Sequence, residues 1–71
     1  MTDMHNKLYE EVVAAARDYQ TGSHHTIERI EAERGESAST LVDAAWDHAE
    51  HIGDITAAQD LERTYNDLTS M

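Results

Sequence analysis

Histidines and carboxylates on one stretch of the chain are the side chains best suited to chemistry. His48 and His51 lie three residues apart, a spacing that can bring two imidazoles to one metal ion when the backbone is helical. Asp47 or Asp54 could add an oxygen ligand. A helical wheel puts His48 beside the apolar side and His51 beside the acidic side, so the two rings do not converge. We therefore predict no metal site and no cofactor.

A row of carboxylates follows the same stretch: Asp43, Asp47, Glu50 and Asp54. It could be a general acid/base pair, a cation site or a binding face, and the alternative is a solvated face. Catalysis by paired carboxylates needs a concave, partly dry pocket, for which so short a chain with few large side chains has little room. Calcium loops, phosphate-binding glycine loops and His-Glu-x-x-His motifs are absent. We predict no catalytic residues and no enzyme; these carboxylates and Trp46 are the predicted interaction residues.

The net charge of the chain limits the classes of partner that it can bind. Fifteen Asp and Glu stand against five Lys and Arg, giving a formal net charge of −10. Such a surface repels nucleic-acid phosphates and anionic membranes, so we predict no direct binding to nucleic acid or membrane and, instead, a basic protein partner. Adaptation to a salty cytoplasm also explains the excess, because carboxylates keep a protein soluble while salt screens their repulsion.

The helix that must position these side chains is predicted from Leu41 to Ile52 and contains the only tryptophan, Trp46. At about 100° per residue, its apolar residues fall on one broad arc: Leu41, Val42, Ala44, Ala45, Trp46, Ala49 and Ile52. Hydroxyl side chains able to cap its first turn precede it: Ser37, Ser39 and Thr40. Gly53 can adopt the left-handed conformation that ends helices. Both ends of this helix are therefore signalled.

Three further helices are predicted around it. Apolar residues at helical spacing predict one over residues 2–20. A shorter one over residues 24–34 has only two isoleucines as its apolar anchor, and we expect it to be the least stable. A last helix is predicted to open at Thr56, which with Gln59 has the spacing of a capping box.

These elements predict an all-α fold, a small bundle of three to four short helices in a single domain over residues 1–71. No alternating strand pattern, hairpin signal or proline is present. The large apolar residues are few and there is no cysteine, so the core is thin, and a homodimer is one way to complete it. No apolar run could span a membrane and no apolar leader opens the chain, so we predict a cytoplasmic protein.

Three short segments occur in this order: Gln20-Thr21, Thr26-Ile27-Glu28-Arg29-Ile30 and Asp47-His48. At this chain length and helix count, their order resembles the Hha/YmoA family of small helical nucleoid modulators. The resemblance covers half of the chain with several gaps, and it implies a helical modulator as one further alternative. The acidity of this chain departs from the family's pattern, so no residue role is carried over.

We expect a small interaction module that docks on a basic protein surface, as an inhibitor, an immunity-type partner or a mimic of nucleic acid. The alternative is a salt-adapted helical protein with a role in self-assembly or regulation. The two differ in their response to salt, because only the second requires the folded fraction to rise markedly at molar salt.

Overall fold

The computed structural model describes residues 6–70, which form four helices and no strand. The helices are α1 (Asn6–Gln20), α2 (His25–Arg34), α3 (Ala38–Ile52) and α4 (Ile55–Thr69). The predicted all-α bundle is confirmed. The predicted start of the first helix at Thr2 lies outside the described residues. None of the described helices is long and apolar enough to cross a membrane.

Helix α3 begins three residues before the predicted start at Leu41, because Ser37 is its N-cap. The Ser37 hydroxyl accepts a hydrogen bond from the Thr40 N–H at 3.4 Å. A carboxylate oxygen of Glu31, on α2, accepts the Ala38 N–H at 2.7 Å. Two of the N–H groups that every helix leaves unpaired at its start are thus satisfied, one by the preceding helix.

Helix α4 does not open on the predicted capping box of Thr56 and Gln59, and that prediction was wrong. Asp54 is the N-cap, and its Oδ1 accepts the Ala57 N–H at 3.3 Å. Gly53 ends α3 with a left-handed φ of 78°, as predicted. Aspartate is at least as good an N-cap residue as threonine, and Asp54 comes directly after this glycine. The new helix therefore starts at Ile55, one residue before Thr56.

The core is built on α1 and α3, each of which contacts all three other helices, while α2 and α4 do not touch. Its largest fully buried side chains are Ile30, Leu61, Val12, Val42 and Thr64. Six of the fourteen buried apolar residues are alanines, so the helices can approach closely although large side chains are few. Helix α2 buries only Ile27 and Ile30.

The predicted apolar arc of α3 is buried for most of its length. Leu41, Val42, Ala45 and Ala49 are in the core, whereas Ala44 and Trp46 are half-buried. Ile52 departs from the prediction, since 53% of its surface is exposed. It is the last residue of α3, at the turn, where no further helix covers the arc.

Candidate functional site

Three of the four predicted carboxylates form an exposed row on α3, which we call the acidic row: Asp43, Asp47 and Glu50. None of their side chains hydrogen-bonds or pairs with another described residue. Their negative charges are therefore not used to hold the described fold together. They are available to an outside partner or to water.

Asp54, the fourth predicted carboxylate, is separated from this row. It lies beyond the end of α3, is half-buried, and caps α4. Its Oδ2 also accepts a hydrogen bond from the Tyr9 hydroxyl at 3.0 Å. Burial and this carboxylate together raise the pKa of Tyr9 to about 12. The helical wheel grouped Asp54 with the others because it continued the helix past Gly53, where the chain in fact turns.

Trp46, the fifth predicted residue, lies half-buried on the side of α3 that faces α4. Its ring centroid is 5.9 Å from that of Tyr65, at an interplanar angle of 53°. Both rings are partly buried and pack against the core. The exposed part of Trp46 lines a surface groove between the two helices.

We call this depression of about 350 Å³ the α3–α4 groove. It is lined by Trp46, Ala49, Glu50, Gly53, Ile55, Ala58, Gln59 and Glu62. Ile55 is 69% exposed, although it is a large apolar residue. Glu50 belongs both to the groove and to the acidic row, so apolar and negative surfaces adjoin there.

Sequence reasoning missed Ile55, Ala58 and Glu62 as candidate site residues. The signal that could have found Ile55 is its place on the wheel of α4, at the edge of the stripe of Ala58, Leu61, Tyr65 and Leu68 and beside Glu62. A large apolar residue at the edge of a stripe is a candidate for exposure. Whether it lies beside Trp46 depends on how α3 and α4 pack.

On the other side of α4, facing α1, polar groups are paired within the fold. We call this region the α1–α4 seam: Tyr9, Arg17, Gln20, Asp54, Asp60, Thr64 and Asp67. Arg17 Nε donates to Asp60 Oδ2 at 2.8 Å, and Gln20 Nε2 donates to Thr64 Oγ1 at 3.2 Å and to Asp67 Oδ2 at 3.0 Å. The fully buried Thr64 hydroxyl contacts the carbonyl oxygens of Asp60 and Ala16.

A second depression, of about 470 Å³, lies beside the seam. It is lined by Asn6, Tyr9, Glu10, Val13, Ala14, Arg17, Ile52 and Asp54. It is larger than the α3–α4 groove, but Tyr9 is already bonded to Asp54 and Arg17 to Asp60. A ligand would have to compete with these bonds. We therefore place the candidate site at the α3–α4 groove and the acidic row.

The two histidines weighed as metal ligands have separate surroundings. The His48 ring lies 4.8 Å from the Tyr9 ring, between centroids, and is half-buried, whereas His51 is exposed. Across residues 6–70, no group of three His, Cys, Asp or Glu side chains could hold a metal ion. His48 serves here as an aromatic neighbour of a core tyrosine.

No protein family, no curated protein and no solved structure matches this chain. Function must therefore be inferred from the surface itself. That surface presents α3 carboxylates that make no bond within residues 6–70, beside an apolar groove. These are the elements of a binding site: charge for long-range attraction, and apolar surface for affinity.

Proposed function

We propose that this chain is a small protein-interaction module that docks on a basic protein surface, as an inhibitor, an immunity-type partner or a mimic of nucleic acid. The observation that carries the proposal is the acidic row, whose three carboxylates are exposed and make no bond within the described fold. Binding, rather than catalysis, is the role that such a surface supports.

The balance of charge sets the class of partner. The whole chain carries −10, and one of its five basic residues, Arg17, is engaged with Asp60 in the seam. The resulting field attracts basic surfaces over long distances and repels phosphates. We therefore propose a basic protein as partner and no direct contact with nucleic acid or an anionic membrane.

Salt adaptation remains the second candidate, because exposed carboxylates occur on every helix and not only on α3. They include Glu10, Glu28, Glu33, Glu62 and Asp67. Under this alternative the negative surface keeps the protein soluble and the role lies in self-assembly or regulation. It assigns no special importance to the position of the acidic row.

A homodimer finds less support than a different partner. In residues 6–70 the strongly exposed large apolar residues are Ile52 and Ile55, which flank the turn between α3 and α4. The other apolar residues of the thin core, which made a dimer one way to complete it, are largely covered within one copy. Two copies would also bring together surfaces that each carry a share of −10. We therefore favour an oppositely charged partner.

The test is capture from a lysate of the source organism at low and at molar salt, followed by measurement of binding rates with the captured protein. Asp43→Lys with Asp47→Lys changes the acidic row. Glu33→Lys with Glu36→Lys is a matched control, because it removes two exposed carboxylates at the end of α2 and changes the net charge equally. We expect the first variant to associate several-fold more slowly at low salt, with a smaller change in dissociation rate.

The control variant is expected to keep most of the parental association rate. If both variants slow association equally, only total charge matters and the position of the acidic row is irrelevant. If neither captures less than the parent and capture is insensitive to salt, the proposed basic partner is excluded. Circular dichroism of all three proteins must show the same helical content for the comparison to hold.

A further inference from the structure

Resting on the proposed function, we infer that the α3–α4 groove receives a basic amphipathic helix of the partner. The apolar side of that helix would lie on Trp46 and Ile55, and its lysines or arginines would face Glu50 and Glu62. The acidic row attracts the partner, whereas the groove gives it a place to dock. The structure supports this in three separate ways.

The first support is the apolar floor of the groove. Trp46, Ala49, Ile55 and Ala58 line it together, contributed by two helices. Ile55 is 69% exposed, and Trp46 and Ala58 are half-buried, so these three give the floor its accessible apolar surface, whereas Ala49 is fully buried beneath it. The Trp46 ring also packs against that of Tyr65. Tryptophan is among the residues most often found at the energetic centre of interfaces, and a rigid one loses little entropy on binding.

The second support is the charge around that floor. One carboxylate from each helix lines the groove, Glu50 from α3 and Glu62 from α4, and neither makes a side-chain bond to another described residue. Gln59 and Glu62 also line an adjoining polar depression with Arg63 and Asn66. Arg63 lines that adjoining depression and carries a positive charge. Basic groups of the partner should therefore lie on the Glu50 side of the groove, away from Arg63.

The third support is the kind of backbone that the surface can accept. Residues 6–70 contain no sheet edge, so an added strand has no backbone groups to pair with. A groove between two packed helices accepts the apolar side of a third helix. A second copy of this chain is a poor occupant, because it would bring its own negative surface against Glu50 and Glu62.

Trp46 is the only tryptophan in the chain and lines the groove, so its fluorescence reports docking directly. The probe is a synthetic Leu/Lys peptide with leucines at helical spacing. One control is a scrambled peptide of the same composition, and a second has glutamate in place of lysine. We expect a blue shift of Trp46 emission that saturates with the amphipathic peptide, weaker binding of the scrambled one and no binding of the glutamate one.

Two matched pairs of variants locate the binding. Ile55→Ala should weaken the amphipathic peptide about tenfold, since it removes apolar surface that docking would bury. Ile52→Ala, which trims the other exposed isoleucine on the far side of the turn, should not. Glu50→Gln with Glu62→Gln should weaken binding several-fold at low salt, and more than Asp43→Asn with Asp47→Asn does.

The outcomes distinguish a failure of the groove as docking site from a failure of the proposed basic partner. If Ile55→Ala binds like the parent while Asp43→Asn with Asp47→Asn binds worse, the peptide docks on the acidic row; the groove is then wrong and the basic partner stands. Equal binding of the scrambled peptide leads to the same conclusion. If no lysine peptide binds at low salt, both proposals fail. A dimer of the chain alone that Ile55→Ala abolishes would make the groove a self-association surface and overturn the inference.

Discussion

The α1–α4 seam and the α3–α4 groove lie on two sides of the same helix. Polar side chains are hydrogen-bonded within the fold in the seam, whereas the carboxylates of the groove are not. In the seam, Asp60 pairs with Arg17 at 2.8 Å and the buried Thr64 hydroxyl is fully engaged. In the groove, Glu62 comes two residues after Asp60 and makes no side-chain bond within residues 6–70. The polar groups on one side of α4 are paired within the fold, and Glu62 on the other side is left open to solvent.

This difference is a guide to function in a chain with so many carboxylates. Among residues 6–70, five acidic side chains accept hydrogen bonds from other described residues: Asp18, Glu31, Asp54, Asp60 and Asp67. A structural role explains their presence: Glu31 and Asp54 bond to part-buried donors, and the bonds of the other three are exposed but still join separate parts of the chain. The carboxylates of the acidic row and the groove have no such explanation. They are the better candidates for binding.

The largest expected effect is a difference in stability between two substitutions on α4, one at a buried residue and one at an exposed residue. Leu61 is fully buried, so Leu61→Ala should lower the free energy of unfolding by about 2–5 kcal/mol. Ile55 is 69% exposed, and Ile55→Ala should change it by less than about 0.5 kcal/mol. Urea denaturation followed by circular dichroism measures both. A large loss in Ile55→Ala would mean that the groove is closed in solution.

The next effect concerns the hydrogen bond between Tyr9 and Asp54 in the seam. Burial first, and Asp54 second, raise the pKa of Tyr9 from its ordinary value of 10.0 to about 12. Between these values the unfolded chain loses the phenolic proton while the folded chain keeps it, so stability falls as pH rises. The stabilisation is complete below pH 10 and is lost by about pH 12, a change on the order of 2 kcal/mol.

Unfolding free energies measured across this pH range should show the fall in the parent and a flatter profile in Tyr9→Phe. Asp54→Asn keeps an N-cap and an acceptor oxygen but removes the charge. The fall should still begin near pH 10, where the unfolded tyrosine ionises, but it should end at a lower pH and be smaller. It should not disappear, because burial is the larger cause of the raised pKa. A Tyr9→Phe profile as steep as the parent's would mean that another group controls alkaline unfolding.

The helices of both regions could be predicted from the sequence because their signals are local. The helical spacing of apolar residues predicted the helices, and Gly53 predicted the end of α3, as the structure confirms. Errors arose where two local signals competed. Thr56 and Asp54 could each cap α4, and the nearer one to Gly53 does so. Asp54 is outside the acidic row for another reason: α3 ends at Gly53, as predicted, and the wheel should have stopped there.

The groove could not be predicted, because it depends on how two helices pack. The predicted last helix opened at Thr56 and so left Ile55 out, and no wheel of a single helix shows that Trp46 on α3 adjoins Ile55 on α4. The buried Thr64 was missed for a related reason. Its hydroxyl is tolerated in the core because it bonds to the Asp60 and Ala16 carbonyls, and the second of these belongs to α1.

The smallest expected effect is the sharpest test of the contrast, because salt should act with opposite sign on the two regions. Asp60→Asn and Asp47→Asn are the same substitution and change the net charge equally, from −10 to −9 with one carboxylate removed. Asp60→Asn removes an attraction to Arg17 and should lower stability at low salt. Asp47→Asn relieves repulsion in the acidic row and should leave stability unchanged or slightly raise it.

Molar salt shortens the screening length to about 3 Å, so it should bring these two variants together. At low salt they should differ by no more than about 1 kcal/mol, because the Arg17–Asp60 pair is partly exposed. Denaturation curves at several salt concentrations measure the difference. If instead the parent gains several kcal/mol in molar salt and Asp47→Asn removes much of that gain, repulsion in the acidic row dominates stability. The acidic row would then lower the free energy of unfolding by repulsion that salt screens, as the salt-adapted alternative requires. Its exposure would no longer favour a basic partner.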